Sequence, residues 1–168
     1  MKPSKRKTPR KRSPFQVDVQ IVALERGVPS VSVFKAWVVQ VLKETVEKAQ
    51  LTLRIVDAEE SQRLNETYRK KVGPTNVLAF PFLETENKAH YLGDIVICAP
   101  LVFEEAKVQE KSPEAHWAHL VVHGCLHLLG YDHVDAADAN KMEAREIKIL
   151  AELNFQNPYE HEEMILHE

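Results

Sequence analysis

The chain has 168 residues, 44% of them apolar, and a formal net charge of −3, which is enough for one domain with a single core. No apolar run reaches the ~18 residues that span a bilayer, and the first residues lack the apolar core of a secretion signal, so a soluble cytoplasmic protein with no membrane partner is expected. The two cysteines, Cys98 and Cys125, are too few for a disulfide framework and suit a reducing compartment.

Seven of the 22 Lys and Arg, and none of the 25 acids, fall in residues 1–12, so the rest of the chain is acidic. With Pro3 and Pro9, residues 1–13 read as a disordered basic tail that either touches RNA phosphates or is merely solvated. The prolines oppose the amphipathic helix of a mitochondrial presequence. From Phe15 to Ile21 apolar and polar residues alternate with period two, as in a half-buried strand. After Gly27 and Pro29, Val33, Trp37, Val38, Val41, Leu42 and Val46 recur at helical spacing, which predicts a core-facing helix up to about Ala49.

Leu51 to Val56 is a second strand. Asp57, with Glu60 three residues on, opens a helix in a capping-box arrangement and the helix runs to about Tyr68. A basic loop follows, Arg69-Lys70-Lys71-Val72-Gly73-Pro74-Thr75-Asn76. Val77 to Phe82 is a third strand, with Pro81 placing it at an edge or at a strand end. Tyr91 to Cys98 is a fourth, joined to the third as a hairpin through the polar stretch from Glu84 to His90. Leu101 to about Lys107 is helical. Ser112-Pro113-Glu114 starts another helix, with Ser as N-cap and Pro in the first position. Asp135 to Asp138 opens the last, whose apolar side is Met142, Ile147, Ile149, Leu150 and Leu153.

This order gives an α+β fold: one small mixed sheet of about four strands covered by about five helices. Residues 14–157 are expected to form a single domain. Residues 158–168 are expected to be a frayed acidic tail, in which His161 and His167 are solvated.

The chemistry lies in His123-Gly-Cys-Leu-His127-Leu-Leu-Gly-Tyr-Asp-His133. Residues four apart lie on one helix face, so His123 and His127 can offer two nitrogens to one ion. Gly130 can take the left-handed conformation past the helix end and return His133 to the same ion. With 8 His in the chain, two more at set offsets is a coincidence of about 0.2%, which favours a metal site over three unrelated histidines. Three ligands leave one position open, the arrangement of catalytic rather than structural zinc, so residues 14–157 are expected to be a single metal-dependent hydrolase domain with a zincin-like metal helix. Large zinc proteases share this spacing but carry a Glu base after the first His, where this chain has Gly124.

Four stretches then match a known pattern in its usual order: Leu64-Asn65 through Tyr68-Arg69, Pro74 to Pro81, Leu92 to Ile97, and His116-Trp117-Ala118-His119 through His133. Through them the chain resembles the YbeY family of bacterial endoribonucleases, the rRNA maturation factors, over roughly residues 15–155. The resemblance implies a metal-dependent nuclease of single-stranded RNA, acting in 16S rRNA 3′-end maturation and ribosome quality control with the small ribosomal subunit and its assembly proteins. It implies one zinc ion per chain on His123, His127 and His133, and a functional arginine at Arg69. The chain departs from the family at Val72, often acidic there, and at Ala79, often Ser.

Beside the tripod, Arg69 stands at a helix-to-loop junction from which a guanidinium can meet phosphorane charge. Lys70, Lys71, Thr75 and Asn76 are candidate RNA contacts in the same loop, although turn formation also explains Thr75 and Asn76. Asp132 either orients a ligand through its second nitrogen or faces water. His119 is a group behind the ligands, a fourth ligand or a hydrogen-bonded core histidine. Asp94 is a base or a cap on the hairpin. Two other functions fit the residues: a metallopeptidase lacking the usual Glu, and a non-enzymatic ribosome-assembly factor that zinc only stiffens.

Overall fold

The computed structural model describes residues 13–84 and 90–160. The basic tail up to residue 12, residues 85–89 of the hairpin connection, and His161 and His167 lie outside the described residues.

Alternation shapes the first strand, β1 (Phe15–Ile21), whose Phe15, Val17 and Val19 pack on the core. The first helix, α1 (Val31–Lys43), starts where Ser30 Oγ accepts from the Val33 amide at 3.3 Å. It ends at Lys43 rather than near Ala49. Thr45 and Val46 both donate their amides to the Leu42 carbonyl in a closing turn, and Ala49 already belongs to the next strand, where its amide bonds the Pro14 carbonyl. Val46 keeps the apolar phase of the helix but reaches the core from that turn.

The second strand is β2 (Ala49–Val56) and the second helix α2 (Ala58–Arg69). Asp57 caps α2 through the Glu60 amide at 2.9 Å. The capping box stays half-made, because the Glu60 carboxylate turns to Arg54 on β2 instead. Two further strands, β3 (Val77–Pro81) and β4 (Tyr91–Cys98), pair antiparallel, while β1 with β2 and β2 with β4 are parallel. The sheet order β1-β2-β4-β3 leaves β3 at an edge, where the missing N–H of Pro81 costs no ladder bond. Gly93 is required here: its φ is +135°, and a Cβ would lie 2.1 Å from the Phe80 carbonyl oxygen.

Three more helices complete the α+β fold: α3 (Ala99–Val108), α4 (Pro113–Leu128) and α5 (Ala136–Glu152). Ser112 and Asp135 cap α4 and α5 through the amides three residues on, each cap being worth about 1 kcal/mol. One sheet face, with Leu51, Leu53, Ile55, Ile95 and Ile97 buried, receives Phe34 and Val38 of α1 and Trp117, Val121 and Cys125 of α4. Burying side chains of this size contributes about 1.5–3 kcal/mol each. Among the described residues, α2 covers the opposite face only at one end, over Val56, Leu78 and Val96. Asp94 alternates with Ile95 and so lies on that opposite face, away from α4, where the Tyr91 hydroxyl donates to it.

The chain leaves α5 through Asn154 in the left-handed region, φ 68°, and Phe155 returns to edge onto Trp37 at 5.9 Å. Residues 158 and 159, placed by sequence in the acidic tail, bond to the body. The Pro158 carbonyl accepts from Lys111 Nζ at 2.9 Å, and the Tyr159 hydroxyl bonds residues of α4 and α5.

Candidate metal centre

Spacings of three and four place His116, His119, His123 and His127 along one face of α4, while Val121, Val122 and Cys125 face the core. Burial pushes the Cys125 thiol up to about 12, which makes it a packing residue rather than a ligand. Gly124 also turns to the sheet, since a Cβ there would meet Ile95 Cγ2 at 2.8 Å. A Glu at this position would have to displace the buried Ile95 side chain.

The helix ends in paired turn bonds, from the Gly130 amide to the His127 carbonyl at 3.1 Å and from the Tyr131 amide to the Leu126 carbonyl at 3.0 Å. With φ +98°, Gly130 reverses the chain and brings His133 back over the last turn. The three rings lie with centroids 4.6 Å (His123–His127), 5.0 Å (His127–His133) and 5.7 Å (His123–His133) apart. One nitrogen of each falls within 4.8 Å of the others.

The donor set fits a divalent ion. His123 Nε2 and His127 Nε2 are 3.1 Å apart, and two nitrogens on one tetrahedral zinc stand about 3.3 Å apart at ordinary bond lengths. Burial and the neighbouring rings of His123 and His133 lower the pKa of His127, so its imidazole favours the neutral, ligating form. Imidazole donors suit zinc, copper, nickel or iron.

Behind the tripod stands a residue that the sequence reading missed. Glu146 of α5 is fully buried and accepts from His123 Nδ1 at 2.5 Å and from His119 Nε2 at 3.0 Å. The Tyr159 hydroxyl also donates to it. Burial pushes the carboxyl up, but the hydrogen bonds and charges of His119 and His123 outweigh burial and hold it at about 2. The signal was an acid in an apolar stripe: Met142, Glu146, Ile149, Leu150 and Leu153 share one face of α5.

His119 is hydrogen-bonded to Glu146, behind His123 as seen from His127. Asp132 accepts from the backbone amide of His133 at 2.7 Å, a bond that shapes the turn. Asn76 borders the same cleft of about 220 Å³ as His119, His123 and Tyr159, and its amide bonds Glu105 at 3.1 Å. Glu105 also meets His116 Nε2 at 3.1 Å; burial raises its pKa, and these two partners overcome that and lower it.

The loop residues stand elsewhere. Arg69 ends α2, donates to the Ala79 carbonyl on β3 at 2.6 Å, and lies over the Phe80 ring at 5.7 Å. Lys70 takes the left-handed cap of α2, φ 57°, and Lys71 is exposed. Thr75 joins the loop to α2 through its backbone and Ser61 Oγ. None of these four borders the cleft beside His123.

The family model described as Endoribonuclease YbeY matches residues 24–154. Proteins named Endoribonuclease YbeY from three Coxiella burnetii strains, Dugway 5J108-111, RSA 331 / Henzerling II and CbuG_Q212, are 52% identical over 150 residues, covering 87% of this chain and 99% of theirs. The solution structure of TM1509 from Thermotoga maritima superposes with a TM-score of 0.56 at 26% identity, over 81% of this chain and 91% of that one.

Proposed function

The chain belongs to the YbeY endoribonuclease family, and from that premise we propose that it is a zinc-dependent endoribonuclease of single-stranded RNA. We place its work in 16S rRNA 3′-end maturation and ribosome quality control, with the small ribosomal subunit and its assembly proteins as partners and the cytoplasm as its compartment.

The observation that carries the reading is the convergence of His123, His127 and His133 on one point with no fourth protein donor among the described residues of that group. When bound, zinc supplies Lewis-acid chemistry at a phosphodiester. The chain's own residues do the rest. The turn through Gly130 fixes His133, and burial keeps His127 neutral. Arg69 is the proposed donor to phosphate oxygens: its guanidinium is anchored to Ala79, and its other N–H groups meet no protein acceptor among the described residues. Lys70 and Lys71 add positive charge beside it, which a body with excess acid needs near RNA. Asn76 borders the cleft next to His123.

The peptidase alternative loses ground on two counts. Gly124 has no room for a base, and Asp94, the substitute, is on the far face of the sheet. Metal analysis, RNA cleavage and casein hydrolysis on the same preparations of wild type and His127→Ala test the proposal. Wild type should hold about one zinc, cut RNA until chelated and leave casein intact, and His127→Ala should lose both metal and cleavage. Equal RNA cleavage by a metal-free His127→Ala protein would refute it.

A further inference from the structure

Glu146 sits on α5 between Met142 and Ile149, both at most 2% exposed, and is itself at 0%. A carboxylate survives without water only where donors replace its hydration. Three do: His123 Nδ1 on one oxygen, and His119 Nε2 and the Tyr159 hydroxyl on the other. Two come from α4 and one from the segment after α5, so the carboxylate ties three parts of the chain together.

An ionised carboxylate only accepts, so the His123 Nδ1 facing it carries a proton. A neutral imidazole has one N–H, which leaves the lone pair on Nε2. That is the nitrogen 3.1 Å from His127 Nε2, on the side where the tripod converges. Resting on the metal reading above, we infer that Glu146 is a positioning residue: it fixes the tautomer and ring orientation of His123 for the metal, and His119 and Tyr159 hold it there.

The same atoms allow a competing arrangement. His119, His123 and Glu146 also have donor atoms within 4.8 Å of one another. An ion there would use His123 Nδ1 and make Glu146 a ligand. The first arrangement is favoured because His123 Nε2 and His127 Nε2 stand at about the separation of two nitrogens on one tetrahedral ion, with a nitrogen of His133 within 4.8 Å of them.

The test is the zinc dissociation constant by chelator competition, with the melting temperature of the metal-free protein and the ¹⁵N NMR tautomer of His123. Loss of zinc in His127→Ala establishes the tripod independently. Glu146→Gln should then weaken zinc by about 10- to 100-fold while the metal-free melting temperature moves by only a few degrees. Tyr159→Phe, which keeps the carboxylate and removes one donor, should weaken zinc by less. Wild type should show His123 protonated on Nδ1, and Glu146→Ala a mixture of tautomers. Wild-type affinity in both Glu146→Gln and Tyr159→Phe would make the cluster merely structural and overturn the inference. So would zinc retained by His127→Ala and His133→Ala but lost by Glu146→Gln and His119→Ala. Should Glu146→Gln fail to fold, wild-type affinity in Tyr159→Phe alone decides against it.

Discussion

The Glu60 carboxylate on α2 meets the Arg54 guanidinium on β2 through two hydrogen bonds, Nε to Oε2 at 2.6 Å and Nη2 to Oε1 at 2.8 Å. The pair pins α2 to the open sheet face beyond the small apolar patch of Val56, Leu78 and Val96.

This pair sets a pH dependence of stability. The Arg54 hydrogen bond, and then its charge, outweigh burial and lower the pKa of Glu60. A depressed folded-state pKa means that the stabilisation is complete above the unfolded value, near 4.3, and is lost as pH falls through the folded one. Wild type should exceed Glu60→Gln by about 1 kcal/mol at neutral pH, the modest figure owed to partial exposure, and the gap should close below about pH 4. Urea melts of both proteins across that range measure it. A gap that stays constant down to pH 3 would mean that the guanidinium is not what holds the helix.

Gly124 should resist substitution although alanine is the better helix former. The gain in helix propensity is about 1 kcal/mol. Against it, a Cβ would sit 2.8 Å from Ile95 Cγ2, a stiff branch of a fully buried residue that cannot swing aside. Overpacking of this kind costs about 1–3 kcal/mol, so Gly124→Ala should melt several degrees lower with the metal site intact. In an Ile95→Ala background, itself less stable because of the cavity it leaves, Gly124→Ala should cost less than it does in wild type. A melting temperature equal to wild type in the single variant would show that α4 can lift from the sheet without cost.

Where a feature depends on neighbours in sequence, it was legible. Alternation predicts β1 at its observed bounds, and Asp57, Ser112 and Asp135 each cap the helix that their spacing marks. The imidazoles at offsets zero, four and ten meet because a helix turn and one glycine bridge them. Glu146 was not legible as a partner, since His123 and His119 lie 23 and 27 residues away and only packing of α5 on α4 joins them. Val46 misled because it continues the apolar phase of α1 while sitting in a turn. Asp132 stayed open between two readings, because sequence adjacency to His133 does not say whether a carboxylate faces the ring or the backbone.

The basic segment at residues 1–12 tests how RNA is held by a chain whose remaining residues are acidic. If those seven charges assist binding, their deletion should weaken affinity for single strands most at low salt and flatten the slope of log affinity against log salt, because fewer counterions are released. Cleavage at saturating RNA should stay close to that of the full chain, since the tripod and Arg69 are retained. An unchanged slope would assign recognition to the loop at Arg69, Lys70 and Lys71 or to ribosomal partners.

Arg69 offers the sharpest separation of chemistry from folding. Among the described residues its one hydrogen bond runs to the Ala79 carbonyl on the edge strand, and its guanidinium lies over the Phe80 ring at an exposed site. Both contacts are weak in water, so Arg69→Ala should cost about 1 kcal/mol or less of stability. A donor that meets charge developing on phosphate is worth far more to the transition state than to the ground state, and its removal should lower turnover by about ten- to a thousandfold. The Michaelis constant should change less than turnover if the contact is made in the transition state. Arg69→Lys keeps the charge but loses the planar fork, and should recover only part of the rate. Full turnover in Arg69→Ala with a large drop in melting temperature would assign the residue to anchoring α2 on β3 and refute the charge-stabilising role.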